Sequence, residues 1–328
     1  MNYKQSKIFL LFSVLTLVGC NFSQTVVAKP SQQQDLQTTP SVLPTQRNTS
    51  NSATLLTYKI ETYDSKVMGA SRTYGVSLPP GYEQNLKQRY PVIFLLHGGH
   101  GDPSSWFIQS KGEALKTVEQ LYTTGKLPPS IIITPDGNDK RGSSPYRDPE
   151  YIDGPNGKVS TAVGDELVKV VQSRYRTLTN PDFWAIGGLS SGGWGAINVG
   201  LHNVEHFSIL FSHSGYFKDK SGAANSPISY IKTIPTQAQK RLKIYLDSGT
   251  SDIDEIGEAE RFSKVLNKLK IYNSFRQFPG SHTWQYWRKH LANSLTFVGE
   301  QFRASETANM TEKNLSINHK KTLKKINP

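Results

Sequence analysis

Apolar and polar positions along this chain alternate between two periods. Residues 91–96, Pro91-Val92-Ile93-Phe94-Leu95-Leu96, form an unbroken apolar run. Such a run suits a strand buried on both faces of a parallel sheet. Residues 130–135 repeat the pattern, and 183–186, 207–211, 242–246 and 274–278 read as further short strands. Nearer the start, 57–63 and 72–78 read as an antiparallel pair. In the second, Tyr74, Val76 and Leu78 alternate with Thr73, Gly75 and Ser77, a half-buried pattern. Between the later strands the period lengthens to that of a helix. Residues 162–175 place Val163, Leu167, Val170 and Val171 on one face, and 195–201 start another helix. In 258–269 the face is Phe262, Val265, Leu266 and Leu269; in 284–302 it is Trp287, Leu291, Leu295, Val298 and Phe302. Strands alternating with helices predict an α/β fold: a mostly parallel, doubly wound sheet with N-terminal antiparallel strands.

The ends of the chain have a different composition. Lys4 and Lys7 precede an apolar stretch, 8–18, too short to hold a bilayer as a stable span. Leu17-Val18-Gly19-Cys20 follows, and Cys20 is the only cysteine, so no intramolecular disulfide is possible. This stretch resembles the lipobox of bacterial lipoproteins. The resemblance implies a signal peptide over 1–20, lipidation at Cys20, export, and a membrane anchor in the bacterial envelope. An ordinary secretory signal, leaving a periplasmic or secreted domain, is the alternative. Residues 21–54 are rich in Gln, Ser, Thr, Asn and Pro, and predict a disordered tether. Residues 55–303 form the globular domain, and the lysine-rich 304–328 predict a basic disordered tail. Two segments without a period, 138–158 and 217–239, predict a functional loop near the site and a cap. The net charge of +12 suits solubility or an anionic surface. There is no nucleic-acid-binding motif, no repeat and no dinucleotide fingerprint, so neither nucleic acid nor a nucleotide cofactor is expected.

The chemistry centres on Gly188-Leu189-Ser190-Ser191-Gly192, a G-x-S-x-G between a strand and a helix. That context is what a nucleophile elbow requires. Glycines let the backbone turn sharply and let the helix approach the strand. In an open α/β sheet, ligands meet the carboxyl ends of the strands. Asp247 and Asp252 follow one such end, His282 another, and His97-Gly98-Gly99 a third. A serine hydroxyl attacks poorly unless a base takes its proton, and His282 follows the last strand, where that base would sit. Asp252 is the favoured acid, with Asp247 its rival as a strand-end cap; Asp254, Glu255 and Glu258 read as the solvated first turn of a helix. His202 and His206 lie four apart without a third ligand, so no metal is expected. His100, His290 and His319 read as surface residues.

Several motifs together resemble the esterase D-like branch of the α/β-hydrolases, a group that includes feruloyl esterase domains, S-formylglutathione hydrolases, enterochelin esterases and antigen 85 mycolyltransferases. They are Leu95-Leu96-His97-Gly98-Gly99-His100-Gly101-Asp102, Pro135-Asp136-Gly137, Gly188-Leu189-Ser190-Ser191-Gly192-Gly193-Trp194-Gly195-Ala196, Ser248-Gly249-Thr250-Ser251-Asp252 and Gly280-Ser281-His282-Thr283-Trp284. The resemblance implies Ser190, Asp252 and His282 as catalytic residues, with the N–H groups of Gly99 and Ser191 as oxyanion donors. Ser191 stands where the family often has methionine; the position contributes its backbone, so the chemistry is kept. His97, Trp194 and His213 are candidate pocket residues, His97 more as a support of the oxyanion loop. The implied function is that of an exported, lipid-anchored serine esterase acting through an acyl-enzyme on a small-molecule or glycan-linked ester, without cofactor or metal. An acyltransferase of the mycolyltransferase type and a non-catalytic binding lipoprotein are the alternatives.

Overall fold

The computed structural model describes residues 56–326. The expected signal segment 1–20 with Cys20, and the expected tether 21–54, lie outside the described residues. Eight strands form one sheet: β1 (Lys59–Ser65), β2 (Ala70–Ser77), β3 (Val92–Leu96), β4 (Ile131–Pro135), β5 (Trp184–Leu189), β6 (Ile209–His213), β7 (Lys243–Gly249) and β8 (Tyr272–Phe278). Their order is β1-β2-β4-β3-β5-β6-β7-β8. β2 runs antiparallel to both β1 and β4, and the remaining pairs are parallel. The chain lays β4 to one side of β3 and then places β5 on the other. The carboxyl ends of β3 and β5 therefore flank the crevice where the strand order reverses, the usual ligand position in such sheets.

Two apolar layers explain why the central strands are apolar throughout. Val92, Phe94 and Leu96 enter one layer, together with helices α2 (Leu167–Arg174), α3 (Ser191–His202) and α4 (Ile253–Lys268). Ile93 and Leu95 enter the other, with helix α1 (Ala114–Thr123) and α5 (Trp284–Ile326). Alternate residues of one strand thus feed opposite faces, as the pleat requires. α3 is buried along nearly its whole length and is rich in glycine. Those glycines allow a close approach: a side chain at Gly192 would collide with the carbonyls of Leu96 and His97, and one at Gly200 with Leu210.

Four elements differ from the sequence expectation. The helix expected to start at 162 begins at Val159 and passes through a π-helical turn, Ala162–Glu166. Helix α1 is an addition, with Leu115, Val118 and Leu121 at helical spacing. The expected cap 217–239 carries short helices, Pro227–Tyr230 and Thr236–Arg241, and is pinned by irregularly spaced apolar anchors. Phe217 stacks on Phe262, and Ile231 and Ile234 are buried. The expected disordered tail does not begin at 304. α5 runs on to Ile326, because 303–326 contain no glycine or proline to stop it. Among the described residues, Phe302 is its last in the apolar layer.

Gly187 on β5 lies directly against the Phe211 ring, with no room for a methyl group. Gly187→Ala is expected to cost about 1–3 kcal/mol by overpacking, read as a lower midpoint of urea unfolding.

Candidate active site

Ser190 sits at the turn from β5 into α3 with φ 54 and ψ −128, a conformation costly for a residue with a side chain. Neighbouring backbone holds it there. The Ser190 N–H donates to the His213 carbonyl at 2.9 Å, and the Trp194 N–H donates to the Ser190 carbonyl at 3.0 Å. Gly188 is required two residues earlier, since a side chain there would meet the Gly192 backbone. Ser191 is the first residue of α3, so its N–H has no partner within the helix and the positive end of the helix dipole lies under Ser190.

Two loops bring the acid and the histidine to this turn. Their parent strands pair in parallel up to Gly249 and Phe278. Beyond that point the Thr250 N–H donates to the Phe278 carbonyl and the Ser251 N–H to the Gly280 carbonyl, each at 2.8 Å. Gly249 has no space for a side chain against Gly280, so this loop contact needs glycine. His282 lies 2.8 Å from the Ser190 Oγ through Nε2, and 2.9 Å from the Asp252 Oδ2 through Nδ1. A neutral ring with its proton on Nδ1 satisfies both bonds: it donates to Asp252 and accepts from Ser190. The ring packs edge-on against Trp287, with centroids 4.9 Å apart. Asp252 is buried and His282 partly open to solvent.

Burial opposes the charge on Asp252, but hydrogen bonds from Glu255, Ser214 and His282 outweigh it and hold the carboxyl below its ordinary range. Ser214 is in turn placed by its N–H on the Asp247 carbonyl and by the Trp287 Nε1–H, which donates to its Oγ at 3.1 Å. Ser214 and Glu255 are site residues that sequence reasoning missed. The signal for Glu255 was its place three residues after Asp252; Ser214 gave none beyond following a strand end.

The two candidate acids after β7 pair with different histidines. Asp247 accepts from His213 Nδ1 at 2.9 Å and from the Tyr286 hydroxyl at 3.0 Å. The other nitrogen of His213 bonds the Ser294 Oγ at 2.9 Å. Register explains the pairing, because His213 on β6 lies opposite Asp247 on β7. Both side chains are fully buried. Burial, then the charge of Asp247, raises the Tyr245 and Tyr286 hydroxyls, and Tyr286 stays protonated as the donor to Asp247.

The pocket expectations therefore need correction. His213 lines no pocket; both ring nitrogens are engaged inside the core. Trp194 is also buried, stacked on Tyr216 at 5.2 Å with its Nε1–H donating to the Asn225 carbonyl. It anchors the cap segment. His97 is buried at the start of the loop after β3. Its Nδ1 meets the Gly98 carbonyl at 2.9 Å, and its Nε2 accepts from the Gly137 N–H at 3.0 Å. Burial lowers its proton affinity, so the neutral ring fits both bonds. His290, expected at the surface, stacks on Phe278 and is buried.

The loop after β3 is held from several directions. Tyr151 donates to the His97 carbonyl at 2.7 Å, Asn138 to the Gly101 carbonyl at 3.1 Å, and Trp106 to the Leu96 carbonyl at 3.0 Å. A side chain at Gly98 would come within 3.1 Å of the Ser190 Cβ, so the loop passes directly beside the serine. Gly99 lies against the Asp148 carboxylate, which brings segment 138–158 to the site. Arg141 pairs with Asp139 and with Glu150, closing that segment on itself. Among the described residues, Asp252, Glu255 and His282 are the group whose ligand atoms converge, within 4.8 Å. Those atoms are already bonded to one another and to Ser190. His206 pairs instead with Asp165, and His202 stacks on Tyr230.

A sheet of this order, with a strained serine after β5 and a histidine after β8, defines an α/β-hydrolase. The family profile described as "Putative esterase" matches residues 65–298. The chain belongs to that esterase family. It is 31% identical over 174 residues to an endo-1,4-beta-xylanase/feruloyl esterase of Xylanibacter ruminicola, covering 51% of this chain and 22% of that one. It is 23% identical over 244 residues to an uncharacterized protein of Corynebacterium glutamicum, covering 68% of this chain and 56% of that one. The chain thus spans about half the length of one of these relatives and about a fifth of the other. A solved ferulic acid esterase structure superposes with a TM-score of 0.68 at 26% identity, over 75% of this chain and 98% of that one.

Replacing Asp247 would strand buried donors of His213 and Tyr286. Asp247→Ala is expected to destabilise the fold by about 3–5 kcal/mol, measured by equilibrium unfolding.

Proposed function

We propose that this domain is a serine esterase that hydrolyses carboxylic esters through an acyl-enzyme on Ser190. The observation that carries the reading is the unbroken hydrogen-bond chain from the Ser190 Oγ through His282 to Asp252. His282 takes the serine proton as the Oγ attacks the ester carbonyl carbon. The carbonyl oxygen becomes an oxyanion, met by the N–H groups of Ser191 and Gly99; one such donor contributes on the order of 10²–10³ in rate. The intermediate collapses, and His282 returns its proton to the leaving alcohol. Water then repeats the sequence on the acyl-serine, with His282 as base, and releases the acid. Asp252 holds the ring in its Nδ1–H form and stabilises the imidazolium.

Esters of ferulic acid and related aromatic acids are the proposed first substrates. The supporting fact is the likeness to a ferulic acid esterase over nearly the whole of that chain. Export and lipid anchoring at Cys20 belong to the same proposal and rest on the N-terminal sequence, with 21–54 as the spacer that holds the domain off a membrane.

Methyl ferulate and p-nitrophenyl acetate should be hydrolysed by the wild type, and Ser190→Ala should lose on the order of 10⁴-fold or more in kcat/KM. Asp252→Ala should lose rate while keeping its thermal midpoint. Full turnover by Ser190→Ala overturns the assignment of the nucleophile. Labelled fatty acid fed to an expressing bacterium should enter the wild type and not Cys20→Ser.

A further inference from the structure

We infer that Glu255 positions Asp252 through a carboxyl–carboxylate hydrogen bond and, on losing that proton, places a second negative charge beside His282. The inference rests on the reading of His282 as the base of the site.

The spacing Asp252-Ile253-Asp254-Glu255 has the form of a capping box, in which the acid at the helix entry and the acid three residues on bond each other's backbone N–H groups. The structure rejects that assignment for Asp252. It occupies the residue before α4, with φ −103 and ψ 68, yet makes no side-chain bond to the helix. Its carboxylate turns instead to His282. Glu255 follows it: its carboxyl bonds Asp252 rather than completing the box. Ligand atoms of Asp252, Glu255 and His282 all lie within 4.8 Å of one another.

Two carboxyl groups this close do not both ionise freely, and one keeps a proton. The surroundings decide which. Asp252 has donors in Ser214 and His282 and remains the carboxylate. Burial, and then the bond to Asp252, push Glu255 up to about 7. The titratable groups facing Glu255 are Asp252 from the loop after β7 and His282 from the loop after β8, with its own backbone N–H as a further donor. Among the described residues no lysine or arginine forms an ion pair with it; Arg261, the nearest basic residue along α4, pairs with Glu258. Ile253, beside it, is 75% exposed, so solvent reaches this turn and can exchange the proton.

The proton has consequences of definite sign. While Glu255 holds it, the carboxyl orients Asp252 as a neutral donor. Once it leaves, the new charge favours imidazolium at His282, and a smaller fraction of the histidine is free to act as base. Glu255→Gln keeps a donor and cannot ionise. Glu255→Ala has neither.

The test is the pH dependence of kcat/KM on p-nitrophenyl acetate for wild type, Glu255→Gln and Glu255→Ala, together with titration of the ¹⁵N-labelled His282 ring by NMR. Glu255→Gln should move the acidic limb and the His282 titration to lower pH by about half a unit or more. It should keep at least half of the plateau rate, whereas Glu255→Ala should lose about tenfold in kcat with KM unchanged. Stability gives a readout independent of turnover. A carboxyl whose proton is held more tightly in the folded state adds stability below its ordinary value, and that stability is lost as pH rises through the folded value of about 7. The wild-type thermal midpoint should therefore fall relative to Glu255→Gln between about pH 5 and 8. Superimposable pH profiles and His282 titrations for wild type and Glu255→Gln overturn the inference. Should Glu255→Ala fail to fold, the wild type and Glu255→Gln still decide it. Absence of ester turnover in every protein would count against the esterase reading alone, because the NMR titration reads the coupling without turnover.

Discussion

The organising constraint is the left-handed backbone at Ser190. A side chain in that conformation is strained, and it persists only because packing on all sides leaves no alternative. The Ser190 N–H is held by the end of β6, its carbonyl by the first turn of α3, and the glycines around it let α3 touch β3 and β5. The sheet order puts this turn at the crevice between β3 and β5. The arrangement exposes one hydroxyl above a set of backbone N–H groups, while almost every neighbour is buried. Stability elsewhere in the fold maintains that local strain.

A second theme is the division of labour between two acid–histidine pairs. Chemically they are the same, and each histidine also reaches a serine hydroxyl. Asp247 and His213 are sealed inside, opposite each other on adjacent strands, and complete a core that ties β6, β7 and α5 together. Asp252 and His282 are carried beyond the strand ends by loops, and their histidine meets solvent and the strained serine. The backbone links them. The His213 carbonyl holds Ser190, and the Asp247 carbonyl holds Ser214, which in turn bonds Asp252. The buried pair is thus the footing of the exposed one.

The sheet was legible in the sequence because doubly buried strands need continuous apolar runs, and 91–96 and 130–135 have them. The serine was legible because only a few glycine patterns allow its turn. The choice of Asp252 over Asp247 rested on motif position; spacing alone does not show that β6 pairs in register with β7 and sequesters Asp247. Trp194 and His213 read from sequence as pocket residues for a related reason. Both lie close to Ser190 along the chain or across the sheet, but their side chains point into the core. The helical course of 304–326 was hidden because its largely polar sequence offers no clear apolar stripe at helical spacing. Glu255 looked like an ordinary first-turn acid because its partner is recognisable only once Asp252 is seen to turn away from the helix.

The paired loops after β7 and β8 are zipped by backbone hydrogen bonds at Thr250 and Ser251, and the acid and the histidine ride on them together. A rigid shift of this double loop would carry both side chains as one body and preserve their mutual distance. The joints that would have to break are then the contact between the imidazole and the hydroxyl on the far side of the crevice and the bond from Ser214 to Asp252. Disengagement would then part the imidazole from the Ser190 hydroxyl while its bond to Asp252 stays intact.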